Sequence, residues 1–275
     1  MRWMFITAEP AVAAFVEACG IDRVFVDLEV RGKRERQGHL DTHVVEHGPD
    51  VVPVVAAALQ RAELLVRINP LDETSEAEIE LVLAGGARRL MLPMFRTAGD
   101  VSWFLELVSD RVPVTLLVET PEALAALPEF LPLLRADDQI HFGLNDLAIA
   151  FGMSFLFEPL ARGMIEQPAQ CCREAGVPFG IGGIGRVGQG DVPAEWILGE
   201  LVRHGADWVI LSRAFRGHSD SLAELNSNLD LAQELERLID VDNYYRDVPA
   251  MLLEQNCKRF RARVAEVAAR AGRND

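Results

Sequence analysis

Short, nearly continuous apolar runs alternate with longer stretches in which apolar residues recur at helical spacing. The runs at 3–7, 23–29, 64–69, 89–94, 114–120, 139–146, 178–184 and 208–213 predict strands. Parallel strands buried on both faces read this way, without the alternation of half-solvated strands. The amphipathic stretches at 10–19, 50–60, 75–83, 100–108, 121–134, 164–175 and 194–204 predict helices. Four of the helical segments stop at glycine in "EACGI", "LAGGARR", "REAGVP" and "RHGADW", and each passes at once into a strand. A glycine just past the last helical residue is the usual left-handed cap. Repeated strand–helix units with short loops predict an α/β chain folded as a (β/α)8 TIM barrel over residues 1–217. A doubly wound open sheet is the runner-up, although it would call for fewer strands and a second domain.

The remainder, 218–275, is helical and longer than one closing helix. Its surplus apolar surface has to be covered, by the barrel or by a neighbouring subunit. The net charge of −15 disfavours nucleic acid and anionic membranes as partners, but not a small anion met by local arginines. No apolar run approaches the ~20 residues of a membrane span. The start "MRWMFITAEP" lacks the apolar centre of a signal peptide. Cys19, Cys171, Cys172 and Cys257 show no CxxC spacing, a usage that fits thiols in a reducing cytoplasm.

In a barrel of this kind chemistry gathers where strands end. The second run ends in Asp27 and Glu29, the third in Arg67 and Asn69, the fifth in Glu119, the sixth in Asn145 and Asp146, and the eighth in Ser212 and Arg213. Glu119 and Asp146 follow neighbouring strands and are expected to share a hard divalent cation, Mg2+ before Mn2+ or Co2+, with waters and substrate oxygens completing its shell. No histidine adjoins either, which disfavours zinc. The bland alternative for Glu119 is capping of a helix that begins in "ETPEAL". The turn opening at Asn145, Asp146 and Leu147 is expected to aim backbone N–H groups at a carboxylate or phosphate. With Arg67 opposite, these groups describe a site for a 2-oxo acid and its enolate.

The segments "FVDLE", "LLVRINP", "GARRLMLPMF", "TLLVET" and "HFGLNDL" resemble, in order and spacing, the HpcH/HpaI aldolase and citrate lyase beta-subunit family over about residues 23–215. The resemblance implies a (β/α)8 barrel that uses a divalent metal and makes or breaks carbon–carbon bonds through a pyruvate or acetyl-CoA enolate. It implies Glu119 and Asp146 as metal ligands, Arg67 as the substrate-binding and enolate-stabilising arginine, Glu29 near the metal's water shell, and Pro93 as a shaping element. It also implies a C-terminal helix exchanged between subunits, hence a homo-oligomer, a trimer or hexamer. One position departs: where pyruvate aldolases of this group often carry histidine and the citrate-lyase-like branch aspartate, this chain has Val30. His39 and His43, in the following loop, are the candidates for proton transfer, while His141 reads as a packed histidine inside a strand.

"GIGGIG" at 180–185 formally fits a dinucleotide fingerprint, but "RVGQGDVP" follows where a helix should open. The glycines are instead expected to let the strand approach a ligand, with Arg186 and Arg213 available for a distal anionic group. The expectation is therefore a metal-dependent aldolase or lyase acting on a 2-oxo acid with an aldehyde or thioester co-substrate. The alternatives are a lyase or hydrolase of a malyl- or citramalyl-type thioester, or a non-catalytic barrel that binds a small anion.

Overall fold

The computed structural model describes residues 1–32, 47–215, 222–223, 225 and 229–272. Its sheet is a closed barrel of eight strands in chain order: β1 Arg2–Ile6, β2 Arg23–Asp27, β3 Glu63–Arg67, β4 Arg89–Leu92, β5 Val114–Val118, β6 Gln139–Phe142, β7 Phe179–Ile184 and β8 Trp208–Leu211. Helices separate them, with further helices after β8, so the chain is a (β/α)8 TIM barrel. All eight predicted strands form, but seven of them end one to four residues before the predicted run does. At β2, β3, β5 and β6 those extra residues include Glu29, Asn69, Glu119, Asn145 and Asp146, which lie outside the ladder.

The chain divides into two compact units. One is Met4–His141. It carries β2 to β6, with helices α1 Pro10–Ala18, α2 Val51–Ala58, α3 Ser75–Ala84, α4 Ala98–Val108, α5 Pro121–Ala125 and α6 Leu127–Phe130 between strands. Its strand interiors, such as Val24, Val26, Leu65, Val66, Leu90 and Leu116, are fully buried. The parallel register sets Asp27 beside Arg67, Arg67 beside Met91, and Met91 beside Thr115. The single helix expected over 121–134 is three short pieces, α5, α6 and a 3-10 turn at Leu131–Leu133. Pro128 and Pro132 lack the N–H that a continuing helix needs, and their rings clash with the preceding turn.

At the strands' N-terminal ends Glu63 accepts from Arg23 Nε at 2.5 Å and from Arg89 Nε at 3.0 Å. Arg89 also donates through Nη1 to the Val114 and Asp137 carbonyls, both at 2.9 Å. The buried arginines Arg23 and Arg89 and the half-buried Glu63 bind strands together at the end of the barrel that serves stability rather than chemistry.

The other unit is Met1–Trp3 with Phe142–Asp275. It holds β7, β8 and helices α7 Leu144–Ala150, α8 Glu158–Ala161, α9 Glu166–Ala175, α10 Ala194–His204, α11 Leu231–Asp247 and α12 Ala250–Ala271. The glycines that end α9 and α10, Gly176 and Gly205, take left-handed φ of 68° and 81°. That conformation is cheap only without a Cβ, and it turns the chain straight into β7 and β8. On α12 the buried residues are Asn256, Cys257, Phe260, Val264 and Val267, a stripe at helical spacing that packs on α10 and α8. That stripe is covered within its own unit, while Ile239, Tyr244 and Met251 on α11 and α12 are exposed. Among the described residues no helix is long and apolar enough to cross a membrane.

Candidate functional site

The first unit gathers a charged cluster at the C-terminal ends of β2, β3 and β5. Arg67, the last residue of β3, donates from Nε to Asp27 Oδ1 at 2.9 Å and from Nη2 to Asp27 Oδ2 at 2.8 Å. This is the planar bidentate fork that arginine makes and lysine does not. Its Nη1 lies 3.2 Å from Glu29 Oε2, and its guanidinium carbon sits 5.5 Å from the centre of the Phe25 ring. The Asp27 fork uses one N–H on Nε and one on Nη2. Nη1 and Nη2 carry further N–H groups beyond the two in the fork, and Glu29 faces Nη1.

Burial works against the charge of Arg67, but the carboxylates of Asp27 and Glu29, with a further contribution from Glu119, outweigh it, so its pKa is raised. It therefore stays cationic and cannot exchange a proton with substrate. Asp27, the weaker of the two expected carboxylates, is the main partner of the arginine; Glu29 is the more buried.

Glu119 follows β5 and is buried. Its Oε1 accepts from the Met94 backbone N–H at 3.1 Å. Met94 reaches that donor position with a left-handed φ of 55°, directly after Pro93. A non-glycine residue there costs on the order of 1 kcal/mol, a kind of strain that clusters at functional sites. The next helix is capped by Thr120, whose hydroxyl accepts from the Ala123 N–H at 3.1 Å and donates to the Phe95 carbonyl at 2.8 Å. Helix capping thus falls to Thr120, and the bland alternative for Glu119 does not hold.

The loop after β2 is tied to the loop after β3. The Val30 and Arg31 N–H groups both donate to Asn69 Oδ1, at 3.0 and 3.1 Å. Arg31 pairs with Asp72 and donates to Thr74 Oγ1 at 2.7 Å. Val30, at the departing family position, offers no proton. His39 and His43 lie outside the described residues.

In the second unit β6 ends at Phe142, so Asn145 and Asp146 stand in the first turn of α7 rather than at the end of a strand. Asp146 is buried. The Leu147 N–H closes that turn onto the Gly143 carbonyl at 3.2 Å, so it is not available to a ligand as expected. His141 is buried inside β6 of the first unit. Arg213 is exposed at the start of a short 3-10 turn, and Arg186 donates to Gln189 Oε1 at 3.0 Å. Of the glycines of "GIGGIG", Gly180, Gly182 and Gly183 lie within β7 and Gly185 just after it, nine residues before α10, which rules out a fingerprint opening a helix. A Cβ on Gly180 would stand 2.2 Å from Trp208 Nε1, and one on Gly182 would stand 2.8 Å from Leu144 Cδ1. Those two glycines therefore serve side-chain packing rather than the expected approach of a ligand.

Among the described residues no three His, Cys, Asp or Glu side chains gather as a metal cage. Mg2+ does not require one, because it keeps several waters and takes one or two protein carboxylates. Glu119 in the first unit and Asp146 in the second each offer a buried carboxylate, a donor type that suits a hard divalent ion better than zinc.

No family model and no curated relative matches the sequence. Solved structures do match in fold. An HpcH/HpaI aldolase from Desulfitobacterium hafniense DCB-2 superposes with a TM-score of 0.57 at 16% identity, covering 83% of this chain and 93% of its own. An HpcH/HpaI aldolase/citrate lyase family protein from Burkholderia cenocepacia J2315 gives 0.59 at 15% identity, covering 83% and 95%. The citrate synthase SbnG gives 0.58 at 16% identity, covering 82% and 93%. At such identities the likeness is one of fold, and it runs through nearly the whole length of each of these structures.

Proposed function

We propose that the chain is a divalent-metal-dependent carbon–carbon lyase of the HpcH/HpaI aldolase type. It would make or break the bond next to the oxo group of a 2-oxo acid by way of its enolate. The observation that carries this reading is Arg67, a buried cation at the C-terminal end of β3, locked into a plane by Asp27 and faced by Glu29. An arginine so held is a fixed cation ready for charge that develops on an oxygen during reaction. The shared fold with HpcH/HpaI structures supports the same class.

In this reading Glu119 and Asp146, which follow the neighbouring strands β5 and β6, hold the ion, Mg2+ first and Mn2+ or Co2+ as substitutes. An ion held there would supply Lewis-acid chemistry at the oxo group. Arg67 binds and orients the acid, and Asp27 and Glu29 keep its guanidinium plane in place. Asn145 and Arg213 remain candidate substrate contacts. His39 is the residue we assign to proton transfer, and His39→Gln with unchanged turnover would remove it. The co-substrate is an aldehyde or a thioester. The thiols Cys171, Cys172 and Cys257 suit a cytoplasmic enzyme. A homo-oligomer, trimer or hexamer, built through the C-terminal helices remains part of the proposal.

The test is proton exchange of pyruvate in D2O, followed by NMR of its methyl group. Wild-type protein with Mg2+ should exchange the methyl protons, chelation should stop the exchange, and Mg2+ should restore it. Glu119→Ala and Asp146→Ala should each abolish it. Exchange that survives thorough chelation removes the metal from the reading. A second reading, a barrel that binds a small anion without turning it over, is motivated by Val30. Pyruvate binding without any methyl exchange would favour it. Product analysis with an aldehyde against a malyl- or citramalyl-type thioester separates the two co-substrates.

A further inference from the structure

We infer that Glu78 and Asn69 are a positioning pair for this site: Glu78 selects one orientation of the Asn69 amide, and that amide holds the backbone carrying Asp27 and Glu29. The inference rests on the reading of the Arg67 cluster given above.

Both residues are buried, Asn69 two residues past β3 and Glu78 in the first turn of α3. Asn69 donates to Glu78 Oε1 from Nδ2 at 2.8 Å and from its backbone N–H at 3.2 Å. On its other side Asn69 Oδ1 accepts the N–H groups of Val30 at 3.0 Å and Arg31 at 3.1 Å. A carboxylate only accepts, and a backbone N–H only donates. A flipped amide would set its oxygen against the carboxylate and its NH2 against two N–H groups. One orientation therefore satisfies both sides and the other satisfies neither.

The same stretch is held at every backbone N–H from Leu28 to Arg31. Leu28 donates to the Arg67 carbonyl at 2.9 Å, Glu29 to Asp27 Oδ1 at 3.1 Å, and Val30 and Arg31 to Asn69. Glu29 lies in the middle of this run, and its carboxylate stands 3.2 Å from Arg67 Nη1. A side chain two residues past β3 thus holds the segment that follows Glu29. Glu78 touches neither Arg67 nor Glu29 in any described hydrogen bond, so its effect runs through Asn69.

The experiment compares wild type, Glu78→Leu and Glu78→Gln in the full chain by two readouts. One is amide hydrogen exchange of the peptide containing residues 28–31. The other is kcat and KM for pyruvate methyl exchange with Mg2+. In Glu78→Leu those amides should exchange at least about 10-fold faster. Its kcat should fall by about 10- to 100-fold, with KM within about threefold of wild type, as expected when reacting groups are displaced without loss of binding. Glu78→Gln keeps an acceptor for Asn69 Nδ2 and should recover most of both. Protected amides in Glu78→Leu overturn the pair, and so do loosened amides with an unchanged kcat. Should Glu78→Leu not fold, Asn69→Asp sets a second carboxylate against Glu78 in the same shape and must give the same two changes. Absence of methyl exchange in the wild type would instead sink the functional reading, while amide exchange would still decide whether Glu78 holds the segment.

Discussion

At the scale of single residues, the site turns on which carboxylate faces Arg67. Asp27 and Glu29 both end one apolar run, and side-chain alternation puts them on the same side, so the sequence ranks them only by resemblance. Register decides: Asp27 is the direct cross-strand partner of Arg67, and strand register between residues 40 apart is not readable from local pattern. The same holds for Glu78, which looks like an ordinary acidic residue in the first turn of a helix. Arg67 and Glu119, by contrast, are legible, because a charge closing a buried apolar run has few structural reasons to be there. The arginine makes a sharp prediction. Lysine at position 67 would keep the charge but lose the planar fork to Asp27. Arg67→Lys should lower kcat/KM for pyruvate methyl exchange by about 100- to 1000-fold, the scale of losing a preorganised oxyanion donor, or ~3–4 kcal/mol. The far-ultraviolet circular dichroism should be unchanged. A kcat/KM within threefold of wild type would mean that charge alone suffices and the fork is incidental.

At the scale of elements, the barrel was readable because each strand is a separate apolar run and four of the helical segments end at a glycine that passes straight into a strand. The misplaced ends share one cause. Residues that follow a parallel strand stay apolar or alternate for another step while the backbone has already left the ladder, so hydrophobic pattern overruns hydrogen bonding. The packing of α11 and α12 was less legible, since it depends on small residues opposite large ones across a crossing. Gly199, in α10, is such a residue. A Cβ there would stand 2.5 Å from Asn256 Nδ2 and 2.8 Å from Tyr245 Cε1. Those two side chains are themselves bonded, Tyr245 Oη donating to Asn256 Oδ1 at 2.8 Å, and Asn256 Nδ2 donates to the Trp196 carbonyl at 2.9 Å. They cannot retreat without breaking buried hydrogen bonds. In an ordinary helix Gly→Ala is favourable by up to ~1 kcal/mol. Here overpacking should reverse the sign, and Gly199→Ala is expected to destabilise by about 1–3 kcal/mol, read as a lowered denaturant midpoint. A raised midpoint would show that α10 and the C-terminal helices have room to part.

At the scale of the whole molecule, pH offers a test of how buried charge couples to folding. His204 ends α10, is buried, and has Nε2 3.0 Å from Arg203 Nη2. A guanidinium can only donate, so this ring nitrogen accepts and the imidazole is neutral. Burial first, and then the charge of Arg203, hold its pKa down to about 4; Glu166 pulls the other way, and Arg173 and Arg261 add smaller lowering effects. An unfolded histidine titrates near ~6.5. As pH falls from ~6.5 toward 4, the unfolded chain binds a proton that the native state refuses, so stability is full above this window and is lost on descending through it. The shift corresponds to about 3 kcal/mol. Glu200, one turn earlier, works oppositely: burial raises its pKa, so its contribution is present in acid and fades as pH rises. Overall charge opposes the histidine as well, because a chain at −15 sheds repulsion as carboxylates are protonated. Salt damps that diffuse repulsion but hardly touches a buried ring. Urea unfolding at ~0.5 M NaCl between pH 7 and 4.5 should therefore show wild-type stability falling by about 2–3 kcal/mol. His204→Gln, whose amide oxygen can still accept from Arg203 but cannot titrate, should lose markedly less over the same interval. Parallel losses in the two proteins would mean that the acid lability lies in other groups, Glu17 first among them. Its carboxylate, despite the opposing effect of burial, is held low by the N–H groups of Ala62, Arg61 and Gln60.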